Sequence, residues 1–149
     1  MEKLIKAIAV DIAKEFEHYI YLQDIGEGFK RPSFFIYHVS TKQVDINRRK
    51  YNKNSLIKIV YFAPLGKYQL PIRLDQLATL EKLKKVFSNM GIKVGDDWVR
   101  ISEIAENYTE DKDIVLQLTL DKEEFREDPL SNENNFETIK NIYIRESGI

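Results

Sequence analysis

One stretch, residues 28–40, constrains the fold of this chain more than any other. It opens as a loop, because Gly28 tolerates dihedral angles that other residues avoid and Pro32 has no amide donor for a sheet. The unbroken apolar run Phe34–Tyr37 follows it. Alternation along a strand would place large apolar side chains on both faces of a sheet, and both faces would then need cover. The stretch therefore predicts a protein built around a sheet.

Other segments carry the β-branched or alternating pattern that is typical of strands. The clearest is Ile114–Leu120, where leucines alternate with Val115, Gln117 and Thr119. We expect residues 33–40, continuing towards Ile46, to pair with residues 55–63 as an antiparallel hairpin. A second hairpin is expected from residues 98–108 and 114–120. Further short strands are predicted at residues 19–22, 92–94 and 139–145.

Two segments have the spacing of amphipathic helices. Residues 2–17 place Ile8 and Ile12 on one side, and residues 73–89 predict a second helix. Its expected buried stripe consists of Leu74, Leu77, Ala78, Val86 and Phe87. Because two amphipathic helices need one apolar surface, the predicted fold class is α+β: a mainly antiparallel sheet with two helices packed on one face. Residues 1–149 are expected to form a single domain, with a flexible polar segment near 126–138.

Composition removes several classes of function. The 149 residues include 23 basic and 24 acidic side chains, and this balance disfavours a general nucleic-acid binder. The absence of cysteine excludes disulfides, thiolate nucleophiles and thiolate zinc sites. The N-terminal segment lacks the apolar core of a signal peptide, and no run approaches the length of a membrane span. We therefore expect synthesis in the cytoplasm and no membrane partner.

No arrangement of residues names a reaction. His18 and His38 lack the carboxylates at ligand spacing that a metal site needs, and the glycines at 91 and 95 do not form a phosphate loop. No nucleophile, histidine and acid stand in a recognisable motif. The expectation is a protein that is not an enzyme and has neither a catalytic nor a metal site nor a cofactor.

The candidate contact residues lie in two short segments. Phe29, between charged neighbours in a loop, either contacts another subunit or folds back onto the core. The basic cluster at Arg48, Arg49 and Lys50, with Lys53 nearby, is either a solvated hairpin connection or a surface for acidic partners or phosphates. The candidate subunit or partner contacts are Phe29, Lys30, Arg31, Arg48, Arg49, Lys50 and Lys53.

These segments also resemble a known family. The stretch from Gly28 to Ile36 has the form GF–xx–P–x–FFI, and the chain continues with Arg48-Arg49-Lys50-Tyr51 and with the strand Ile57–Pro64. Together with the opening LIKAIA helix, they resemble phage tail terminator proteins, small tail proteins of phages and phage-like elements such as prophages. The resemblance covers most of residues 1–120 in order, and it is carried mainly by residues of the fold.

The resemblance implies a structural virion protein. Such proteins look like subunits of a ring, a hexamer in the assembled tail, that caps the head-proximal end of the tail tube. The ring ends tube polymerisation and offers the surface for head joining, so the implied partners are other copies of the chain, the tail tube protein and connector or neck proteins. The implied location is the virion tail. The expected contacts are the loop 25–32, the connector 47–54 and the segment 126–138.

Two other functions remain open. The first is a neck or head–tail connector protein of the same assembly. The second is a small DNA-binding module that would use Arg48, Arg49, Lys50 and Lys53, and salt-dependent binding to DNA would identify it. An enzyme with an unrecognised site is the weakest alternative, because an acid–base pair or a metal cluster should be visible in the sequence.

Overall fold

A computed structural model describes residues 1–22 and 28–126 of the chain. The described parts contain two helices, six strands and one short 3₁₀-type turn. The helices are α1 (Glu2–Ala13) and α2 (Arg73–Val86), and the turn is Lys67–Gln69. The strands are β1 (Tyr19–Tyr21), β2 (Ser33–Asp45), β3 (Lys50–Phe62), β4 (Gly91–Val94), β5 (Asp97–Tyr108) and β6 (Ile114–Phe125).

The six strands form one mixed sheet in the order β1-β2-β3-β6-β5-β4. Both predicted hairpins are present, because β2 pairs with β3 and β5 pairs with β6, each in antiparallel fashion. The central contact joins β3 to β6, also antiparallel. One pair departs from this pattern, since β1 runs parallel to the start of β2. The α+β class and the mainly antiparallel sheet are thus confirmed, with one parallel pair added.

The alternation predicted for the central strands determines which of their side chains form the hydrophobic core. Ile57 and Ile59 of β3 lie opposite Leu118 and Leu116 of β6, and all four are fully buried. Gln117, which alternates with these leucines, is only partly buried. Burying these four side chains removes apolar surface from water at about 25 cal/mol per Å², which makes this pairing a main source of stability.

The helices contribute to the same hydrophobic cluster as the strands. Ile8 and Ile12 of α1 are fully buried, and Leu80 and Leu83 of α2 are nearly so. All four belong to one cluster with the buried residues of β2, β3, β5 and β6. Helix α1 ends at Ala13 rather than at the predicted residue 17, but Phe16 beyond it still packs in the cluster.

The predicted buried stripe of α2 is correct at its end, where Phe87 is buried and Val86 is partly buried, but wrong at its start. Leu74 is 80% exposed, and Leu77 and Ala78 also face solvent. The helix is rotated because polar bonds fix its first turns: Tyr61 Oη donates to Asp75 Oδ1 at 2.5 Å, and Gln76 Nε2 donates to the backbone carbonyl of Lys112 at 2.9 Å. The buried side chains of this helix and its C-cap are Gln76, Thr79, Leu80, Leu83 and Phe87.

The strands are longer than their apolar patterns. β2 continues to Asp45 and β3 begins at Lys50, so the predicted polar connector 47–54 shrinks to a turn at residues 46–49. β6 likewise runs on to Phe125. These extensions pair with one another, and backbone hydrogen bonding sustains a strand where side chains no longer mark it. The predicted segment 126–138 and the predicted strand 139–145 lie outside the described residues, apart from Arg126.

Candidate subunit-contact surfaces

Phe29 folds back onto the sheet. Its ring lies 4.6 Å from the ring of Phe62, the last residue of β3, as measured between ring centroids. Gly28, just before it, has a φ of 80°, a left-handed value that glycine adopts without steric cost. The side chain of Phe29 is therefore only partly exposed, and the intramolecular alternative for this residue has a structural basis.

Arg31 is held inside its own subunit. Its guanidinium donates to the backbone carbonyl of Ala63 at 3.0 Å and to Asp113 Oδ1 at 3.2 Å. It also lies 5.3 Å from the ring centroid of Phe29 and 5.4 Å from that of Phe62. Arg31 thus ties the loop to the end of β3 and to the turn before β6.

Asp113 is the buried partner of this arginine. Burial raises the pKa of its carboxyl group, and the charge and hydrogen bond of Arg31 act in the opposite direction. Its backbone amide donates to Thr109 Oγ1 at 3.1 Å, which closes the β5–β6 turn. A carboxylate that is this buried depends on its arginine, because a charge in a low-dielectric environment needs a partner.

Lys30 is the outward-facing member of the loop. Its backbone amide donates to the hydroxyl of Tyr21 at 3.1 Å, and its ammonium group lies 5.1 Å from the ring centroid of Tyr19. The lysine side chain is exposed, and so is Tyr19. Of the three loop candidates, Lys30 is the one whose charge faces solvent.

The basic cluster is divided between the β2–β3 turn and β3, because β3 begins earlier than predicted. Arg48 and Arg49 are exposed in the β2–β3 turn, where Asn47 Oδ1 accepts the backbone amides of Arg49 at 2.8 Å and Lys50 at 2.9 Å. An asparagine side chain that caps the following amides is a common way to fix a turn. This turn therefore presents two arginines on a defined backbone.

The two lysines of the cluster belong to β3 itself. Lys50 places its ammonium group 5.2 Å from the ring centroid of Phe125 on β6. Lys53 lines a cavity of about 660 Å³ beside the start of α1, together with Lys122 and Glu124. An odd separation along a strand puts Lys50 and Lys53 on opposite faces, so the four basic residues do not form one patch.

The sequence interpretation missed an exposed apolar segment between β3 and α2. Leu65, Leu70, Ile72 and Leu74 are each at least 41% exposed. The segment is folded back on itself by a bridge between Leu65 and Pro71, with Tyr68 at its projecting end. We call this projecting end, residues 67–70, the Tyr68 turn. The signal for it in the sequence is the run of large apolar residues around Pro64 and Pro71.

A second surface with exposed apolar side chains, set among polar ones, lies at the opposite end of the strands. A groove of about 750 Å³ is lined by Val44, Ile46 and Trp98, with Glu123 and Arg100 among its polar residues. The three apolar side chains are each at least 49% exposed. We call this surface the Trp98 groove. By strand alternation, its floor is the sheet face opposite Leu120 and Val99, which belong to the core.

The histidines hold aromatic and polar contacts. His18 stacks near Phe34 and Tyr61 at centroid distances of 5.6 and 5.9 Å, and burial lowers the pKa of its imidazole. His38 Nε2 lies 2.6 Å from Thr41 Oγ1. Within residues 1–22 and 28–126, no group of three histidine, aspartate or glutamate side chains is arranged to hold a metal. In the same residues, neither helix is long and apolar enough to cross a membrane.

A comparison with protein families identifies the class of protein. The sequence model of the family described as phage tail terminator protein matches residues 3–132, which include all the described helices and strands except the first residue of α1. The chain belongs to the phage tail terminator family. A comparison with curated proteins gives no match. Membership in this family supports a structural role in the phage tail, and the family is not one of enzymes.

Proposed function

We propose that this tail terminator family protein caps the head-proximal end of the tail tube as a closed ring, hexameric in the assembled tail. The ring ends tube polymerisation and provides the surface that joins the head, through contacts with the tube protein and with connector or neck proteins. The observation that carries the proposal is the family match over residues 3–132. A ring requires two different contact patches on each subunit, and the chain has exposed apolar surfaces at both ends of its strands.

The architecture fits this role in two further respects. We infer that both helices pack on one face of the sheet within a single domain, since buried residues of α1 and α2 share one cluster with Ile59 and Leu116. The other sheet face is then available to partners at the end that carries the Trp98 groove.

Among the candidate contacts, Arg48 and Arg49 suit a protein partner best. They are exposed on a fixed turn, whereas the guanidinium of Arg31 is used within the subunit. Acidic side chains stand on the neighbouring strand ends, at Asp45 and Glu124. Basic and acidic side chains thus alternate here. This arrangement favours an acidic protein surface as the partner over DNA, because DNA binding requires an uninterrupted basic face.

Tail length in particles that lack the gene tests the function. We expect electron microscopy to reveal overlong tails, or tails that fail to join heads. Normal tails of normal length that are joined to heads would refute the proposal.

A charge-reversal variant, Arg48→Glu with Arg49→Glu, tests the proposed contact. It should fold normally, because exposed charges contribute about 0–1 kcal/mol, and it should fail to restore normal tails. The matched control is Lys85→Glu, a reversal at an exposed residue of α2. Equal rescue by the two variants would remove Arg48 and Arg49 from the contact and leave the terminator role standing.

A further inference from the structure

The Tyr68 turn has a strained backbone, and the side chain of Tyr68 is not packed against its own subunit. Tyr68 has φ and ψ of 61° and 22°, and Gln69 has a φ of 58°. Two consecutive residues with positive φ are normally glycine or asparagine, because a Cβ atom is crowded in this conformation. Tyr68 nevertheless exposes 90% of its surface, more than any other large hydrophobic residue in the described ranges. A residue with a strained backbone and an exposed side chain is a candidate for binding a partner.

The turn is a rigid projection. The Gly66 amide donates to the Leu70 carbonyl at 2.8 Å, and the Ile72 amide donates to the Pro64 carbonyl at 3.0 Å. These bonds fix the base of the projection, so Tyr68 is presented without a large loss of backbone entropy on binding. A preorganised tyrosine with few rotatable bonds is a typical anchor residue of protein interfaces.

The Trp98 groove offers space and apolar contacts for an aromatic side chain. It is concave, with apolar side chains from Val44, Ile46 and Trp98, and its volume of about 750 Å³ accommodates an aromatic ring. Trp98 stands above Gly91, where any Cβ would meet its indole ring at 2.2 Å. The glycine thus lets the indole lie close against β4 and form one wall of the groove.

The charges of the two surfaces are also complementary. Residues 64–73 carry Lys67 and Arg73 and no acidic residue. The groove is lined by three acidic side chains, Asp97, Asp121 and Glu123, against two basic ones, Arg100 and Lys122, and Lys122 forms an ion pair with Asp97. Within the described residues, no basic side chain pairs with Glu123. An acidic side chain at this position suits Lys67 beside the projecting tyrosine.

The two surfaces cannot meet within one subunit. They lie towards opposite ends of β3, because Asn52 lines the groove and Phe62 is the last residue before the segment that carries the turn. The stretch from Asn52 to Phe62 spans about 33 Å at 3.3 Å per residue. A contact between turn and groove therefore joins two copies, and it uses a different patch on each, which is the head-to-tail geometry that closes into rings.

We propose that the Tyr68 turn of one copy inserts into the Trp98 groove of the next copy around the ring. This inference rests on the proposed ring function and names the surfaces that form its subunit contact. Tyr68 packs against Val44 and Trp98 of the neighbouring copy, and Lys67 faces its Glu123.

Site-directed cross-linking tests the contact, because the natural chain contains no cysteine. A Tyr68→Cys, Val44→Cys variant is treated with a short bis-maleimide, both as purified protein and in purified tails. The matched control is Tyr68→Cys with Val10→Cys, since Val10 is 54% exposed on α1, outside both surfaces. We expect the first pair to give a ladder of covalent oligomers that ends in a closed ring, and the control pair to remain monomeric on a denaturing gel.

A separate variant distinguishes lost contact from lost folding. Tyr68→Asn suits the left-handed turn better than tyrosine does, so the urea midpoint of the subunit should stay unchanged or rise while ring formation is lost. A fall in the midpoint together with loss of the ring would assign Tyr68 to folding and overturn the proposal.

Four other outcomes would also overturn it: no ladder from the first pair, equal ladders from both pairs, dimers from Tyr68→Cys alone, or cross-links from residue 68 to the tube protein. Dimers from the single variant would indicate a two-fold contact, and tube cross-links would make the tube the occupant of the turn. If any of these occurs while tails without the gene are overlong, the terminator function stands and only the proposed contact fails.

Discussion

Replacing Arg31 with methionine should destabilise the subunit far more than the loss of a surface charge would. Arg31→Met keeps part of the packing between Phe29 and Phe62 but removes two hydrogen bonds, one to the Ala63 carbonyl and one to Asp113. The charged guanidinium is the donor in both, and a hydrogen bond that involves a charged group contributes about 1.5–3 kcal/mol. The Arg31 side chain is 21% exposed, so solvent screening favours the lower part of this range for each bond. We expect a loss of about 3 kcal/mol in the free energy of unfolding.

Urea unfolding at neutral pH measures this loss. For a domain of this size the denaturant dependence is about 2 kcal/mol per molar urea, so the midpoint should fall by about 1.5 M. The control is a double variant, Arg31→Met with Asp113→Asn, in which no charge is left buried. It should recover a good part of the loss, because the penalty comes largely from the unpaired carboxylate.

The same variant should respond to pH. Burial raises the pKa of Asp113 in the folded protein, and removing Arg31 takes away the interaction that lowers it. A group with a raised folded pKa stabilises the fold at low pH and loses that contribution as the pH rises through the folded pKa. The deficit of Arg31→Met should therefore be smaller at about pH 5 than at about pH 8. A loss below about 1 kcal/mol at pH 8, or a deficit that grows on acidification, would refute the buried-pair interpretation.

Two further predictions concern the sheet. Leu118→Ala should cost about 2–5 kcal/mol, because the leucine is fully buried, whereas Thr119→Ala on the other face should cost under about 1 kcal/mol; equal losses in urea melts would mean that the two faces are misassigned. Gly91→Ala should displace the indole of Trp98, since the added Cβ would stand 2.2 Å from the ring. Trp98 is the single tryptophan, so fluorescence reports the change directly, and an emission spectrum identical to that of the wild type would contradict it.

Alternation along the strands was sufficient to predict the sheet. Apolar side chains such as Ile57 and Leu116 recur at every second position because one face of the sheet is buried. This period of two is visible in the sequence. The parallel direction of β1 was not predictable in this way. A three-residue strand has no pattern that distinguishes the two directions.

The rotation of α2 and the role of Arg31 depend on partners that are remote in sequence. The apolar period of the helix pointed to Leu74, but a bond from Tyr61 to Asp75 holds the helix in another orientation. Arg31 meets Asp113 across 82 positions of sequence, so the pattern around the arginine gave no sign of it. The Tyr68 turn was hidden for a different reason: it lacks the glycine or asparagine that usually marks positive φ.

The strand order also has a consequence for synthesis. β6 lies between β3 and β5, yet it is the last described strand to leave the ribosome. A nascent chain that ends before Ile114 holds the β2–β3 and β4–β5 ribbons with no strand to pair them into one sheet, and isolated ribbons are marginally stable in water. Prematurely terminated chains should therefore fail to fold and be degraded by proteases. The sheet order would thus act as a check on chain completeness before a subunit enters a particle.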